Sequence, residues 1–248
     1  MIRLLALVAL LLSGCSAPLS QVPPAGMPAS VPAPEISVGD TWTYHVRDGY
    51  NGIPRENQRD EVVRVGGGRI EIAPRSNERE AGIQVYERGW NWLRRPATNL
   101  KTFEYHPAYE AFAFPLAPGK RWRERLVAVD PVDGRQFPVV IEGTVLGWER
   151  VKVPAGEFDA LKVDRRVFFD YWEYAVRGRS VIHEVEWYVP AIKQSARREA
   201  SSRYLSISGA WRDTGFMRVR GGGRDNDGGP RYVLDDWLIY ELATYSVR

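Results

Sequence analysis

The stretch Val151-Lys152-Val153-Pro154-Ala155-Gly156-Glu157-Phe158-Asp159-Ala160-Leu161-Lys162-Val163 reads as strand, bend, strand. Alternation puts Val151 and Val153 on one face. Pro154 then withholds a ladder donor and Gly156 is free to take a positive φ, so pairing must break between the two halves. Beyond the bend Leu161 and Val163 share a face. Phe158 is out of phase with them and is expected to plug the bend rather than lie in the strand. Trp187-Tyr188-Val189-Pro190 answers this motif downstream, and the two segments are expected to pin neighbouring strands together.

Outward from that motif, strand signals recur along the whole chain. Trp42, Tyr44 and Val46 alternate with Thr41, Thr43 and His45 after a Gly-Asp opening at Gly39. Residues 61–65 and 69–73 flank Gly66-Gly67-Gly68 as a hairpin, and residues 84–88 and 91–94 flank Gly89. Gly119 to Trp122 echoes the Gly-x-x-Trp of Gly39 to Trp42, so two sheet-starting units built alike are expected. Residues 121–129, a turn at Asp133-Gly134 and residues 139–148 lead into the central motif. Residues 167–176 and 180–189 form a long hairpin across Arg177-Gly178-Arg179. Residues 192–204 admit a helix by composition but are read as a strand. A Gly- and Asp-rich run at 221–229 separates residues 216–219 from a strand at 232–242. Its Asp225, Asn226 and Asp227 lack the distant Glu and the alternation that a calcium loop needs. The expected fold is all-β, an antiparallel sheet curved into a half-barrel or a two-sheet sandwich with little helix.

The chain opens on a different kind of signal. Met1-Ile2-Arg3 is a short positive region, residues 4–12 are an apolar run and Leu12-Ser13-Gly14-Cys15 places small residues before a cysteine, the pattern of a lipoprotein signal peptide. The apolar run is far short of the roughly 20 residues that span a bilayer. Cys15 is the expected lipid attachment site. Two or more acyl chains make a stable anchor, so the mature protein is expected on a membrane, facing the periplasm. As the only cysteine, Cys15 leaves no intrachain disulfide and no cysteine metal or nucleophile site. The organisation read here is a signal peptide over 1–14, a lipidated, Pro-rich linker over 15–34 that does not pack, and one β-rich periplasmic domain over 35–248.

The Gly39 to Tyr44 opening, the Val-Pro-Ala-Gly-Glu-Phe segment with Lys162-Val163, the Trp187 to Pro190 segment and the closing Glu241-Leu242-Ala243-Thr244-Tyr245 together resemble a group of uncharacterised bacterial envelope lipoproteins. The resemblance covers most of the chain after Cys15. It implies a β-rich periplasmic module, distantly similar to the half-barrel carriers of lipoproteins, and it brings no activity with it. In the sorting rules of lipoproteins an Asp after the lipidated cysteine favours the inner membrane, so Ser16 implies the outer one.

Chemistry is hard to find in the sequence. His45, His106 and His183 lack metal-ligand spacing, and His183-Glu184 has no second histidine, so no metal site is expected. There is no nucleophile elbow, phosphate-binding glycine loop or dinucleotide fingerprint, which points to a non-catalytic protein without cofactors. The carboxylates Asp235 and Asp236 point to opposite faces of a strand. Net charge is +3, or +2 once Arg3 leaves with the signal, and the arginines are scattered, which argues against nucleic acid. Arg121, Arg123 and Arg125 share one face and read as solvated. Aromatic residues carry the remaining hint. Phe168, Trp172 and Tyr174 fall on one face of the long hairpin and Phe169 and Tyr171 on the other, so the first three are a candidate apolar binding face for a hydrophobic ligand or an envelope protein. The leading expectation is a tethered binding module, the alternative a structural or assembly lipoprotein, and an enzyme stands last.

Overall fold

A computed structural model describes residues 24–77, 79–98, 100–173, 177–206 and 231–248. Among these residues thirteen antiparallel strands follow one another: β1 (Thr41–Asp48), β2 (Pro54–Gly66), β3 (Arg69–Ser76), β4 (Arg79–Glu80), β5 (Gln84–Glu87), β6 (Trp92–Pro96), β7 (Thr102–Tyr109), β8 (Arg121–Val129), β9 (Gln136–Val153), β10 (Gly156–Phe169), β11 (Arg177–Val189), β12 (Gln194–Ser206) and β13 (Arg231–Ser246). The only helical turn among the described residues is the 3₁₀ turn Pro190–Ile192. β1 pairs with β13 on one side and β2 on the other, and β2 pairs in turn with β3, so twelve strands close into a barrel with β4 appended to β3. The expected half-barrel or sandwich is thereby corrected. Every long strand has two partners, which removes the open edges that either alternative would expose.

The central motif behaves as a stop and a restart. β9 and β10 pair from Gly156↔Val153 to Phe169↔Val139, and Gly156 has φ +135°. The Ala155 N–H donates to the Leu242 carbonyl, tying the bend to β13. Leu161 faces Tyr188 across the β10–β11 ladder, so the two proline-terminated segments do pin adjacent strands. Phe158 differs from expectation in lying within β10; it is half-buried, packs against the hydrophobic core and has its ring 6.1 Å from that of Tyr245. Its phase is opposite to that of Leu161 and Val163, and its ring comes within 4.0 Å of where a Cβ on Gly156 would stand, at the bend itself.

The two Gly-x-x-Trp openings are built alike. Gly39 and Gly119 both have positive φ, at +88° and +84°. Gly39 N–H donates to Val62 and Val62 N–H returns to Asp40, while Gly119 N–H donates to Val145 and Val145 N–H returns to Lys120. The Pro-rich linker needs one correction. Val31 is 3% exposed and exchanges two backbone hydrogen bonds with Leu116, because a β-branched residue amid prolines still offers an N–H and a side chain to bury. The long hairpin is corrected as well. β10 ends at Phe169, where Asp170 N–H turns to the Pro138 carbonyl, and Arg177–Arg179 belong to β11 instead of forming its turn.

Twelve strands enclose more space than the eight that side chains fill easily, so large groups are needed inside. Beneath β7 to β10, Phe103, Phe137, Phe169 and Tyr171 pack edge to face at 5.0 to 6.2 Å. At the end carrying the proline bends, Trp42 and Trp90 meet edge-on at 5.5 Å, and their indole N–H groups donate to the Ile192 and Lys193 carbonyls of the 3₁₀ turn. That end is thus plugged. The interior also buries charged side chains, Arg165, Glu184 and Glu186 among them.

Candidate functional site

The residues proposed from sequence do not form one face. Cys15 and Tyr174 lie outside the described residues, as does the run 221–229. Trp172 has left the ladder and is 53% exposed. Phe168 is half-buried on the outer wall, where it lines a groove with Tyr50, Val181, Leu234 and Trp237. The opposite pair, Phe169 and Tyr171, is buried in the core. The predicted alternation held only as far as β10 itself.

The barrel interior instead gathers charge. Arg165 is in phase with Leu161, Val163 and Val167, so it points inward, and it is 0% exposed. Its Nε donates to Glu184 Oε2 at 3.0 Å, its Nη1 to the Ala111 carbonyl at 2.9 Å and its Nη2 to Glu186. Both carboxylates are inward by the same phase argument, in step with Ile182 and Tyr188 of β11. Each has a second partner: Tyr109 Oη–H donates to Glu184 at 2.7 Å and Ser195 Oγ–H to Glu186 at 2.6 Å. Burial pushes the Glu186 carboxyl up, but the charges of Arg165 and Arg198 outweigh it and hold the group below its ordinary range. A buried arginine between two hydrogen-bonded carboxylates is a satisfied arrangement, and removing one member would strand the others.

Beside this network the lumen is open. A cavity of about 300 Å³ reaches from the ends of β3 and β6 inward to Glu184, Arg198 and Tyr240, and it is lined by Glu56, Gln58, Ser76, Gln84 and Arg95 along the way. A smaller void of about 20 Å³, room for a single water, continues past Arg95 and Arg198 toward Asp60, Glu186 and Ser195. Arg198 stands opposite Glu186 in the β11–β12 ladder. Its guanidinium lies 4.0 Å over the Tyr240 ring, and that of Arg95 lies 3.9 Å over the Trp92 ring. Trp92 is itself stacked on Tyr109 at 3.8 Å, so the Arg95 platform is rigid. Arg95 Nε is buried with no hydrogen-bond partner. Asp60 accepts a 2.8 Å bond from Gln58, and burial raises its carboxyl above its ordinary value despite that bond and the nearby Arg198 and Arg95.

Among the described residues no three His, Cys, Asp or Glu side chains converge to hold a metal. His183 is on the outer wall with Asp164 at 2.6 Å. Arg121, Arg123 and Arg125 are exposed, Arg123 pairing with Glu142. Sequence reasoning missed Arg165, Glu184, Glu186 and Arg198. Their signal was available, since each is a charged residue in phase with the buried face of its strand. Arg95 had no such signal, because the β5–β6 register shifts between Val85 and Tyr86.

No family model matches this sequence. No curated protein matches it either. Among solved structures the chain is similar to a candidate lipoprotein from Parabacteroides distasonis, at 13% identity and a TM-score of 0.48 over 89% of this chain and 100% of that one. A candidate exported protein with a YmcC-like fold from Bacteroides fragilis aligns at 13% identity and 0.45, over 87% and 99%. The hypothetical lipoprotein YmcC of Escherichia coli aligns at 11% and 0.42, over 83% and 84%. These likenesses concern the course of the chain and transfer neither ligand nor role.

Proposed function

We propose that this chain is a lipid-anchored, non-catalytic binding module of the bacterial envelope that takes a small polar ligand into its lumen. The observation that carries this reading is the cavity of about 300 Å³ between Gln58, Gln84, Arg95, Arg198 and Tyr240, in a barrel that otherwise holds a hydrophobic core. Its volume lies at the lower bound of small-molecule sites. The charged lining disfavours the acyl chain that the aromatic content of the sequence suggested, because buried guanidinium and carboxyl groups would lose their hydration against hydrocarbon. Catalysis is disfavoured because the inward carboxylates Glu184 and Glu186 are committed to Arg165. The anchor rests on the residues around Cys15, and Ser16 supports delivery to the outer membrane.

A second reading, docking to another envelope protein, is favoured by one observation. Tyr50, Ile53, Val132, Trp172 and Leu234 are all exposed and all lie at strand ends opposite the proline bends.

Two measurements test the main reading. Full-length protein extracted from membranes in mild detergent is denatured, and the released small molecules are identified by mass spectrometry. A stoichiometric polar species supports lumen binding, and a lipid species in its place refutes it. Cys15→Ser is expected to leave the precursor unlipidated and uncleaved at that site, and unchanged mass and membrane partition would refute the anchor.

A further inference from the structure

The geometry points to a small anion as the ligand of the lumen, a carboxylate or a phosphoryl group held between Arg95 and Arg198. This rests on the reading of the lumen as a binding site. Neither guanidinium makes a side-chain hydrogen bond or an ion pair with any described residue, although both line the same cavity. Each has one face covered by an aromatic ring, Trp92 for Arg95 and Tyr240 for Arg198, which leaves the N–H edges to point elsewhere. A planar fork held by stacking is the geometry that binds carboxylate and phosphate oxygens with two parallel bonds. The buried Arg95 Nε–H has no acceptor in the protein, and a buried donor without a partner is unfavourable until something supplies one.

Glu186 and Asp60 act on Arg198 through space, but no neighbouring acid among the described residues hydrogen-bonds either guanidinium. Glu184 and Glu186 are bound to Arg165 and additionally to Tyr109 and Ser195. Glu56 accepts from Ser76. Asp60 is bonded to Gln58. The hydrogen-bonding edges of both guanidinia are therefore left for the oxygens of a ligand. Gln58 and Gln84 provide neutral amides on the cavity wall for the remainder of such a ligand. The volume of about 300 Å³ admits a molecule of roughly ten water volumes, which suits a small dicarboxylate or a phosphorylated compound and excludes a polymer.

The test uses the full chain in detergent, with thermal denaturation and calorimetric titration against inorganic phosphate, succinate and, as a neutral control, glycerol. Either anion is expected to raise the melting temperature in a concentration-dependent way, as any ligand of the native state must. The anion that does so distinguishes a phosphoryl from a carboxylate ligand. Arg95→Gln and Arg198→Gln should each weaken binding at least tenfold. Arg197→Gln, on the outer wall where Arg197 pairs with Glu199, should leave it unchanged. Melting curves of the unliganded variants verify folding, and removing the unpartnered Arg95 is expected to leave them cooperative. Equal anion effects in wild type and both lumen variants would overturn the proposal. So would the recovery of a neutral polar molecule from the lumen, which would leave the binding-module reading standing. A lumen that yields no ligand and responds to no anion overturns both.

Discussion

Replacing Arg165 by methionine keeps much of the side-chain volume and removes the charge between Glu184 and Glu186. Two buried carboxylates then face each other with only the Tyr109 and Ser195 hydroxyls and the Arg198 charge for support. Breaking a buried ion pair by removing one partner costs about 3–5 kcal/mol. For a domain of 150–250 residues each kcal/mol lowers the melting temperature by about 2–4 °C, so a fall of about 6–20 °C is expected. The pH dependence supplies an internal check. In the wild type Glu186 has a depressed carboxyl pKa, so it contributes stability above its unfolded value that is lost as pH falls through the folded value. Without Arg165, burial dominates, the pKa rises and the sign reverses. The penalty of Arg165→Met should therefore shrink between about pH 7 and pH 5 as the stranded carboxyls take up protons. Adding Glu184→Gln and Glu186→Gln to Arg165→Met should recover at least half of the loss, since neutral amides need no counter-charge. Differential scanning calorimetry of wild type, single variant and triple variant at both pH values reads all of this. A single variant that melts within about 2 °C of wild type, or a triple variant no better than the single, would refute the assignment of the triad as a coupled unit.

Gly143 lies opposite Trp122 in the β8–β9 ladder, and a Cβ there would overlap the indole, so Gly143→Ala should cost about 1–3 kcal/mol. Pairing it with Trp122→Leu should remove most of that extra cost in a double-mutant cycle, and strict additivity would contradict the argument. Gly156→Val places a β-branched residue at φ +135° and should cost about 1–3 kcal/mol in denaturant unfolding. Phe158→Ala removes a half-buried ring and should cost less than the roughly 3–5 kcal/mol of a fully buried phenylalanine; a loss of that full size would contradict its partial burial. The Asp164 carboxylate at 2.6 Å raises the His183 pKa, so that pair stabilises the fold below the ordinary histidine value, and its contribution is lost as pH rises through the raised one. His183→Gln should flatten the melting temperature across that interval, and an unaltered profile would dismiss the pair. Under the proposed sorting, Ser16→Asp should shift the protein toward inner-membrane fractions on a density gradient relative to the natural sequence, and identical fractionation would refute the sorting argument.

Individual strands were largely legible in the sequence, because alternation and turn residues act locally. Gly67-Gly68, Gly89 and Pro154 mark their turns where the structure has them. Closure was not legible. It depends on β1 meeting β13, a long-range pairing that no local pattern encodes. The aromatic cluster misled for a related reason: period-two reasoning ran past Asp170, where the chain leaves the ladder to bond Pro138. The interior charges were legible but passed unread, since Arg165 and Glu186 sit in phase with valine, leucine and tyrosine on their strands. A charged residue in a buried phase says more than one on an exposed face.

The β1–β13 seam also sets a timetable. Thr41 pairs with Ser246, and one buried carboxylate, Asp40, accepts from the Ser37 and Arg248 backbones and from Lys193. A chain that emerges from its amino end therefore delivers β1 long before its partner exists. Until β13 arrives, β1 and β12 each present an unsatisfied edge, the condition under which strands recruit wrong neighbours. The same seam makes residues 37–41 and 246–248 neighbours, so a permuted chain joined there and reopened in an exposed turn such as Asp133-Gly134 would have its late strands made early. Comparing the refolding yields of the permuted and natural orders would measure how much waiting for the last strand hinders this barrel.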